Sequence, residues 1–431
     1  MLTNNLEHLR TLKMSEYSKY YSSIFNNHIS NFSDDVNIEI KKILKNQNID
    51  KLFKEFKDKE KISFVLMTFN EERCIERCLN SILAFADEII IIDTGSNDKT
   101  LDIIKNFSNL GNIILYSHTW NNDFSEIRNL LTDYATNDWI FQIDADEFII
   151  KKDFKYLKEL MFFLDISSIS PKIISPMLID HDLSETLHTK RIYKKDDKLR
   201  YFGSIHEELR YNNSSNTPYM FITYPIYHDG YMSEVLDAKQ KYLRNYNLLK
   251  EMIKVEPNNI RWYYFLVREA SALEISNSAI INIAKLGLEL SSSDESDFRT
   301  GLLTKLMELN LNEYSILKNY SDLAKKNNKN CMDIYYYELL GNEIFSAEKH
   351  LENLTKNIKE VFELENPFSL INSNGDHLFL AWGWSYFELK NYDLAITMWN
   401  KISSEDITNS LVSTLKDLNG SIENFINTNR E

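Results

Sequence analysis

Between residues 61 and 143, short apolar runs alternate with segments in which apolar residues recur every three or four positions. The runs are typical of buried strands, and the recurring positions are typical of amphipathic helices. Strands are predicted at Ile62–Met67, Glu88–Ile92, Ile113–Tyr116 and Trp139–Ile143, and helices at Glu71–Leu83, Leu101–Phe107 and Ser125–Tyr134. Because alternating strands and helices form right-handed βαβ units, this region predicts an α/β domain with a mostly parallel sheet.

The pattern changes on both sides of this region. Residues 1–60 are polar and helix-like and end in a Lys/Glu-rich run, which indicates a helical N-terminal extension whose charged run is a solvated helix or linker. From about residue 232 the periodicity is helical throughout. We therefore predict three domains, at 1–60, 61–231 and 232–431.

One segment of the helical region, Leu378–Ile402, has the spacing of small and aromatic residues found in a tetratricopeptide helix pair. The matching positions are Gly383, Tyr386, Ala395 and Trp399. The segment from Trp262 to Ala279 matches the same spacing more weakly. Either a short tetratricopeptide-like domain, which would present a concave peptide-binding surface, or a plain helical packing domain accounts for this.

The composition restricts the class of protein. A length of 431 residues is too great for one typical core, and a formal charge of −15 disfavours nucleic acid as a partner. The three cysteines form no disulfide framework and fit a reducing compartment; Cys74 and Cys78 are interpreted as buried structural thiols. No apolar stretch approaches about eighteen residues and no signal-peptide pattern is present, so we expect no membrane span and a cytoplasmic location.

An acidic triplet, Asp144-Ala145-Asp146, directly follows the apolar run that ends at Ile143. In open α/β sheets, ligands bind beyond the carboxyl ends of the strands. Two carboxylates crowded there repel each other unless a cation lies between them, and hard divalent cations commonly bridge such oxygens to substrate phosphates. The triplet therefore indicates a metal and phosphate site.

Polar residues also follow the other predicted strands. The run Thr68-Phe69-Asn70-Glu71 ends the first strand at a helix N-terminus, a position that can receive a nucleotide. Asp93 ends the second strand and could accept a hydrogen bond from a base or ribose. Arg128 suits a diphosphate, although alone it would more often be a salt-bridge residue. Asp98 is interpreted as a helix cap.

In order and spacing, these residues resemble the family-2 glycosyltransferases with the GT-A fold. The likeness covers roughly residues 61–150 and is carried by T-F-N-E-E (68–72), I-I-I-D-T-G-S-N-D-K-T (90–100), Arg128-Asn129 and I-D-A-D-E (143–147). There is no P-loop and no G-x-G-x-x-G run, which disfavours kinases and dehydrogenases.

The resemblance implies a nucleotide-sugar donor, usually a UDP-sugar, with Asp93 at the uracil and a Mn²⁺ or Mg²⁺ ion on the diphosphate. The implied donor-binding residues are Thr68, Phe69, Asn70, Glu71, Asp93, Arg128, Asp144 and Ala145, and the implied metal ligands are Asp144, Asp146 and His228. Mixed carboxylate and imidazole ligation favours Mn²⁺ somewhat over Mg²⁺. The alternative for His228 is a hydrogen-bonded histidine at a domain junction.

A second element, Phe202 to Glu208, contains a histidine and two glutamates. An inverting transferase needs a base to take the acceptor proton, and Glu207 is the candidate. His206 would orient or contact the acceptor, or act as the base itself. Arg191 is expected to point toward the diphosphate or the acceptor.

Over nearly the whole chain, the combination of H-E-E (206–208), Y-H-D-G-Y (227–231) and the tetratricopeptide-like tail resembles the sublancin-type peptide S-glycosyltransferases. That resemblance implies a homodimer, a UDP-hexose donor with glucose favoured, and a cysteine acceptor in a bacteriocin precursor peptide. A thiol is already partly ionised near neutral pH and strongly nucleophilic, so it needs little help from a base.

Three alternatives remain open. Related enzymes accept serine, so an O-linkage is compatible with the sequence. Polysaccharide and lipopolysaccharide sugar transferases share this layout, but no polybasic patch for a lipid-linked acceptor is found in the sequence. A non-enzymatic peptide-binding scaffold is disfavoured because Asp144, Asp146 and His228 are all retained.

Overall fold

The structure is a computed structural model, in which the chain divides into two compact units, Met1–Met232 and Ser233–Glu431. The described residues are 29–31, 60–109, 111–151, 154, 157–168, 170–180, 185–186, 189–214, 217, 219–228, 235–290, 296–345, 360–361, 363–364, 368–372 and 374–428. In this part of the chain, no helix combines the length and apolar character that crossing a membrane requires.

Among the described residues, the first unit contains strands β1 to β12 and helices α1 to α4. The strands are β1 (Ile29–Asn31), β2 (Ile62–Thr68), β3 (Glu88–Asp93), β4 (Ile113–Ser117), β5 (Trp139–Gln142), β6 (Glu147–Ile149), β7 (Ile173–Ile179), β8 (Glu185–Thr186), β9 (Ile192–Lys194), β10 (Leu199–Phe202), β11 (Glu208–Tyr211) and β12 (Met220–His228). The helices are α1 (Ile75–Ile82), α2 (Thr100–Ser108), α3 (Phe124–Tyr134) and α4 (Leu157–Ile166).

One large sheet organises this unit, with the strand order β1-β12-β7-β9-β5-β2-β3-β4. Strands β5, β2, β3 and β4 run parallel, as do β7 and β12, whereas β9 is antiparallel to both β5 and β7. Strand β6 pairs with β12 and β8 with β7, and a separate hairpin joins β10 to β11. The predicted α/β fold with a mostly parallel, GT-A-type sheet is confirmed.

Both faces of the central strands β2, β3 and β5 are covered, which explains why these strands carry apolar residues on both faces. Successive side chains of a strand point to opposite faces. On β3, Ile89 and Ile91 pack in the core that contains α1, whereas Ile90 and Ile92 pack in the core that contains α3. All four isoleucines are buried.

The predicted N-terminal extension is described only at β1 and at Glu60. The three residues of β1 form a strand that pairs antiparallel with β12, rather than the helix predicted for this stretch, because the edge of the sheet offers hydrogen-bond partners there. The remainder of the predicted extension lies outside the described residues.

The second unit is helical. Its described helices are α5 (Val235–Val255), α6 (Ile260–Ala272), α7 (Asn277–Leu290), α8 (Asp297–Glu308), α9 (Tyr314–Asn327), α10 (Met332–Phe345), α11 (Asp376–Glu388), α12 (Tyr392–Trp399) and α13 (Glu405–Thr428). Helices that follow one another pack together, as α6 does with α7 and α11 with α12.

The pair α11 and α12 shows the predicted tetratricopeptide-like packing. Tyr386, Ala395 and Trp399 lie in one buried cluster. The Trp399 indole lies directly against Gly383, and its Nε1 donates to the Leu380 carbonyl at 3.2 Å. A Cβ on residue 383 would lie 2.0 Å from that Nε1 atom, so only glycine admits the ring there.

We expect Gly383→Ala to destabilise the helical unit by about 1–3 kcal/mol, the usual range for overpacking, because Trp399 must move and lose its hydrogen bond. Gly420→Ala is the matched control. It lies within α13 and its added Cβ meets nothing within 4 Å, so this change should stabilise the helix by about 0.5–1 kcal/mol. Thermal unfolding followed by circular dichroism measures both; equal melting temperatures for the two variants would contradict the packing argument.

Candidate functional site

The ends of parallel strands bring several predicted site residues to one edge of the sheet. Thr68, at the end of β2, pairs with Asp93 at the end of β3. The acidic triplet follows β5, which also pairs with β2. The predicted donor-binding segments therefore meet at the carboxyl edge of the sheet, as in other α/β ligand sites.

The loops that follow β2 and β3 are hydrogen-bonded to each other. The Asp93 carboxylate accepts from the backbone nitrogens of Gly95 (2.9 Å) and Ser96 (3.0 Å), in a turn where Gly95 has a φ of +114°. Asn70 accepts from the Asn97 nitrogen at 2.8 Å. Thr68 Oγ1 is buried and has no hydrogen-bond partner among the described residues, which leaves it available to a ligand.

Glu71 stands at the start of the α1 region and is partly buried, and burial raises its pKa. The Cys74 thiol donates to Glu71 Oε2 at 3.0 Å, and the Cys78 thiol donates to the Asp144 carbonyl at 3.5 Å. Both cysteines are buried and free, which fits their interpretation as structural thiols. Phe69, in contrast, is 55% exposed at this edge and presents an aromatic face to solvent.

Asp144 is held by two arginines. One of its oxygens accepts from Arg128 Nη2 at 3.1 Å and the other from Arg191 Nη2 at 2.7 Å. Burial alone would raise the pKa of Asp144, but the two guanidinium groups hold it well below its usual range. Arg128 Nη1 and Arg191 Nε are buried without a hydrogen-bond partner in the described structure, so each arginine keeps a donor.

Glu147 is a buried carboxylate that supports this arrangement. It accepts from the Asp144 nitrogen at 2.9 Å and from Arg191 Nη2 at 2.6 Å. Burial raises the pKa of Glu147 to about 7; Arg191 opposes this shift and the charge of Asp144 adds to it. Arg191 comes to this place because its carbonyl accepts from the Gln142 nitrogen at 2.8 Å, beside the end of β5.

Arg128 also reaches the turn between β10 and β11. Its Nε donates to Glu207 Oε1, so one guanidinium joins the acidic triplet to the predicted base. The neighbouring Asn129 exchanges two hydrogen bonds, both 2.9 Å long, with the backbone of Tyr201. The Arg-Asn pair within α3 thus fixes the positions of β10 and of this turn relative to the acidic triplet.

His206 and Glu207 lie in that turn, which spans residues 203–207. The turn contains two residues with positive φ, Gly203 at +111° and His206 at +49°. The Ser204 carbonyl accepts from the Phe124 nitrogen at 3.1 Å, which ties the turn to α3. Glu207 is 11% exposed, and its Oε1 is engaged by Arg128.

Asp146 meets His228 across the pairing of β6 with β12. His228 lies opposite Glu147 in this register, so Asp146, the residue just before β6, lies beside the imidazole. His228 Nε2 is 3.1 Å from Asp146 Oδ2, and its Nδ1 is 2.6 Å from Asp180 Oδ1. Hydrogen bonds with these two carboxylates raise the pKa of His228 to about 10.

The predicted site residues therefore fall into two groups. Asp146 and His228 are brought together, whereas both carboxylate oxygens of Asp144 face arginines. The described residues contain no group of three His, Cys, Asp or Glu side chains arranged around one metal position. Sequence reasoning missed Asp180 and Glu147. Asp180 directly follows the apolar run Ile173–Ile179, which is the same signal that singled out Asp144.

Comparison with known proteins places the site in context. Residues 63–221 match the model of the family described as Glycosyl transferase family 2. The SPbeta prophage-derived glycosyltransferase SunS of Bacillus subtilis is 31% identical over 329 residues, covering 75% of this chain and 76% of SunS. A TPR repeat-containing protein of Synechococcus elongatus is 38% identical over 89 residues, 21% of each chain. The S. aureus TarS 1-349 structure with UDP-GlcNAc is 16% identical, covers 65% of this chain and 90% of that chain, and has a TM-score of 0.33.

Proposed function

Because this chain belongs to glycosyl transferase family 2, together with the glycosyltransferase SunS, we propose that it moves a hexose, with glucose favoured, from a UDP-sugar to a cysteine thiol of a bacteriocin precursor peptide. Sugar transfer follows from membership of the family. The main structural support for this reaction is that Asp146 contacts His228 at the carboxyl edge of the sheet. Beside this contact, Arg128 forms ion pairs with both Asp144 and Glu207.

The donor would bind along the loops after β2, β3 and β5. Buried Thr68 Oγ1 offers an unused polar atom, and exposed Phe69 offers an aromatic face to the uracil. Asp93 is proposed to accept a hydrogen bond from the uracil while it continues to accept from the Gly95 nitrogen in its own turn. Asn70, Glu71 and Ala145 complete the proposed nucleotide contacts. Arg128 and Arg191 each keep one buried donor, which suits an oxygen of the ribose or the diphosphate.

A divalent cation, Mn²⁺ or Mg²⁺, is proposed on the diphosphate, held by Asp146 and His228. A carboxylate oxygen and an imidazole nitrogen are suitable donors to such a cation, and these two atoms lie 3.1 Å apart. We leave Asp144 out of this ligand set, because two arginines engage its oxygens. Bound there, the cation would supply positive charge opposite the departing diphosphate.

The transfer would be a single inverting displacement. The acceptor sulfur bonds to the anomeric carbon as the bond from that carbon to the diphosphate oxygen breaks, and UDP leaves with that electron pair. The thiol proton passes to Glu207 or, as the second candidate, to His206, unless the thiol is already ionised. Glu207 Oε1 is paired with Arg128, so Oε2 would receive the proton.

The alternatives are serine as the acceptor, a polysaccharide or lipopolysaccharide acceptor, and a scaffold without activity. The tetratricopeptide-like packing of the second unit supports a peptide partner, because such repeats often hold peptides. A homodimer is proposed on the likeness to the sublancin-type enzymes, and the cytoplasm is proposed as the location.

The test measures transfer with matched acceptors. The full chain is incubated with Mn²⁺, a set of UDP-hexoses and three short peptides that differ only in carrying cysteine, serine or alanine at one position. We expect a hexose on the cysteine peptide, read by mass spectrometry, and none on the alanine peptide. EDTA should abolish transfer and added Mn²⁺ should restore it.

The other outcomes separate the alternatives. Equal transfer to serine would overturn the thiol preference, and transfer to a lipid-linked sugar alone would overturn the peptide acceptor. The donor is tested separately from the peptide: a small thiol replaces the peptide as acceptor, and the release of UDP from each UDP-hexose is measured. Failure to release UDP from every donor would overturn the proposed donor itself.

A further inference from the structure

An unassigned aspartate, Asp180, contacts the ring of His228 on the side away from Asp146. We propose that Asp180 is a positioning residue that fixes the ring orientation and tautomer in which His228 binds a divalent cation through Nε2. The inference rests on the metal site of the proposed function. It adds a residue that the sequence patterns did not single out.

The position of Asp180 follows from strand pairing. Strand β7 runs parallel to β12, with Ile179 opposite Tyr227, so the next residues of both strands emerge side by side. These residues are Asp180 and His228, and Asp180 Oδ1 lies 2.6 Å from His228 Nδ1. Because the register of two paired strands sets this contact, it is determined by the fold.

The chemistry of imidazole gives this contact a role. A neutral ring carries one hydrogen, and a cation can bind only the nitrogen without it. When a cation is bound, a carboxylate that accepts from Nδ1 would keep the hydrogen there and leave the Nε2 lone pair, on the Asp146 side, to the cation. Carboxylate partners of this kind orient metal-binding histidines, and their loss typically reduces metal affinity about 10–100-fold.

The direct test is Mn²⁺ affinity without turnover. Free Mn²⁺ is titrated by electron paramagnetic resonance against the full chain with saturating UDP. Asp180→Ala should weaken Mn²⁺ binding about 10–100-fold, and Asp180→Asn should weaken it less because the amide oxygen still accepts from Nδ1. His228→Ala should weaken binding at least as much, and adding Asp180→Ala to it should cause little further loss.

Asp87→Asn is the matched control. Asp87 is 29% exposed, close to the 26% of Asp180. Its carboxylate accepts from the Ile62 nitrogen and forms an ion pair with Lys158. Ile62 begins β2, so this aspartate lies at the opposite edge of the sheet. Its replacement should leave Mn²⁺ affinity unchanged, which separates loss of a metal partner from a general loss of folding.

Two results would overturn parts of this picture separately. If Mn²⁺ binds the wild type and His228→Ala weakens it, but Asp180→Ala binds normally, the positioning role fails while the metal site stands. If His228→Ala and Asp146→Ala both bind Mn²⁺ as the wild type does, the metal site of the proposed function fails.

Discussion

Asp146→Ala will transfer sugar about 100- to 1,000-fold more slowly than the wild type, in kcat/KM for the UDP-hexose, because a cation on the diphosphate is worth several kcal/mol of transition-state stabilisation. The fold should survive. The Asp146 side chain is 22% exposed, and His228 keeps Asp180 as its partner when the carboxylate is removed. The measurement is UDP release with Mn²⁺ present, alongside thermal unfolding to check folding.

Asp102→Ala is the control for this experiment. Asp102 is 80% exposed on α2, and its contact with Lys105 is a long surface ion pair of 4.0 Å. Such pairs contribute little, so both activity and stability should stay at the wild-type level. Normal turnover by Asp146→Ala, with EDTA without effect on either protein, would exclude the proposed metal site.

Arg128→Met will lower the free energy of unfolding by about 3 kcal/mol, the lower end of the range for breaking a buried ion pair. Arg128 is buried, and its loss leaves Glu207 without its charged partner. The effect stays at the lower end because Arg191 still faces Asp144. Sugar transfer should fall too, since the turn that carries His206 loses its connection to the acidic triplet. Urea unfolding of the first unit measures the change.

Arg200→Met serves as the matched control, because it also removes a guanidinium that pairs with a carboxylate. Arg200 and Asp133 are 45% and 50% exposed, so their contribution should not exceed about 1 kcal/mol. If Arg128→Met and Arg200→Met unfold at the same urea concentration, Arg128 does not hold the site together.

Strands β2 to β5 and helices α1 to α3 were predictable because their signals are local. The strand predicted at Glu88–Ile92 is observed at Glu88–Asp93, and the helix predicted at Ser125–Tyr134 is observed at Phe124–Tyr134. Strand β7 was not predicted, although its sequence is largely apolar. Because this strand was not predicted, Asp180 at its end was not selected, although it follows an apolar run as Asp144 does.

Helix α1 shows where local periodicity was insufficient. A helix is predicted from Glu71, but α1 begins at Ile75. The reason is tertiary, since the Glu71 nitrogen donates to Thr100 Oγ1 at 2.7 Å and the Glu72 nitrogen donates to Asp98 Oδ2 at 3.1 Å. Asp98, the predicted cap of α2, accepts from the Thr100 nitrogen at 2.9 Å, but the residue in the N-cap position is Lys99.

By itself, the sequence determined the α/β order of the first unit, the helical second unit and the presence of polar side chains at the strand ends. These follow from hydrophobic periodicity and from the chirality of βαβ units, which act over short stretches of chain. Only the tertiary structure decided which charged groups meet. Asp146 and His228 are 82 residues apart, and Arg128 and Glu207 are 79 apart. Contacts at such separations depend on the register of distant strands and on the packing of a turn, and no local pattern encodes either.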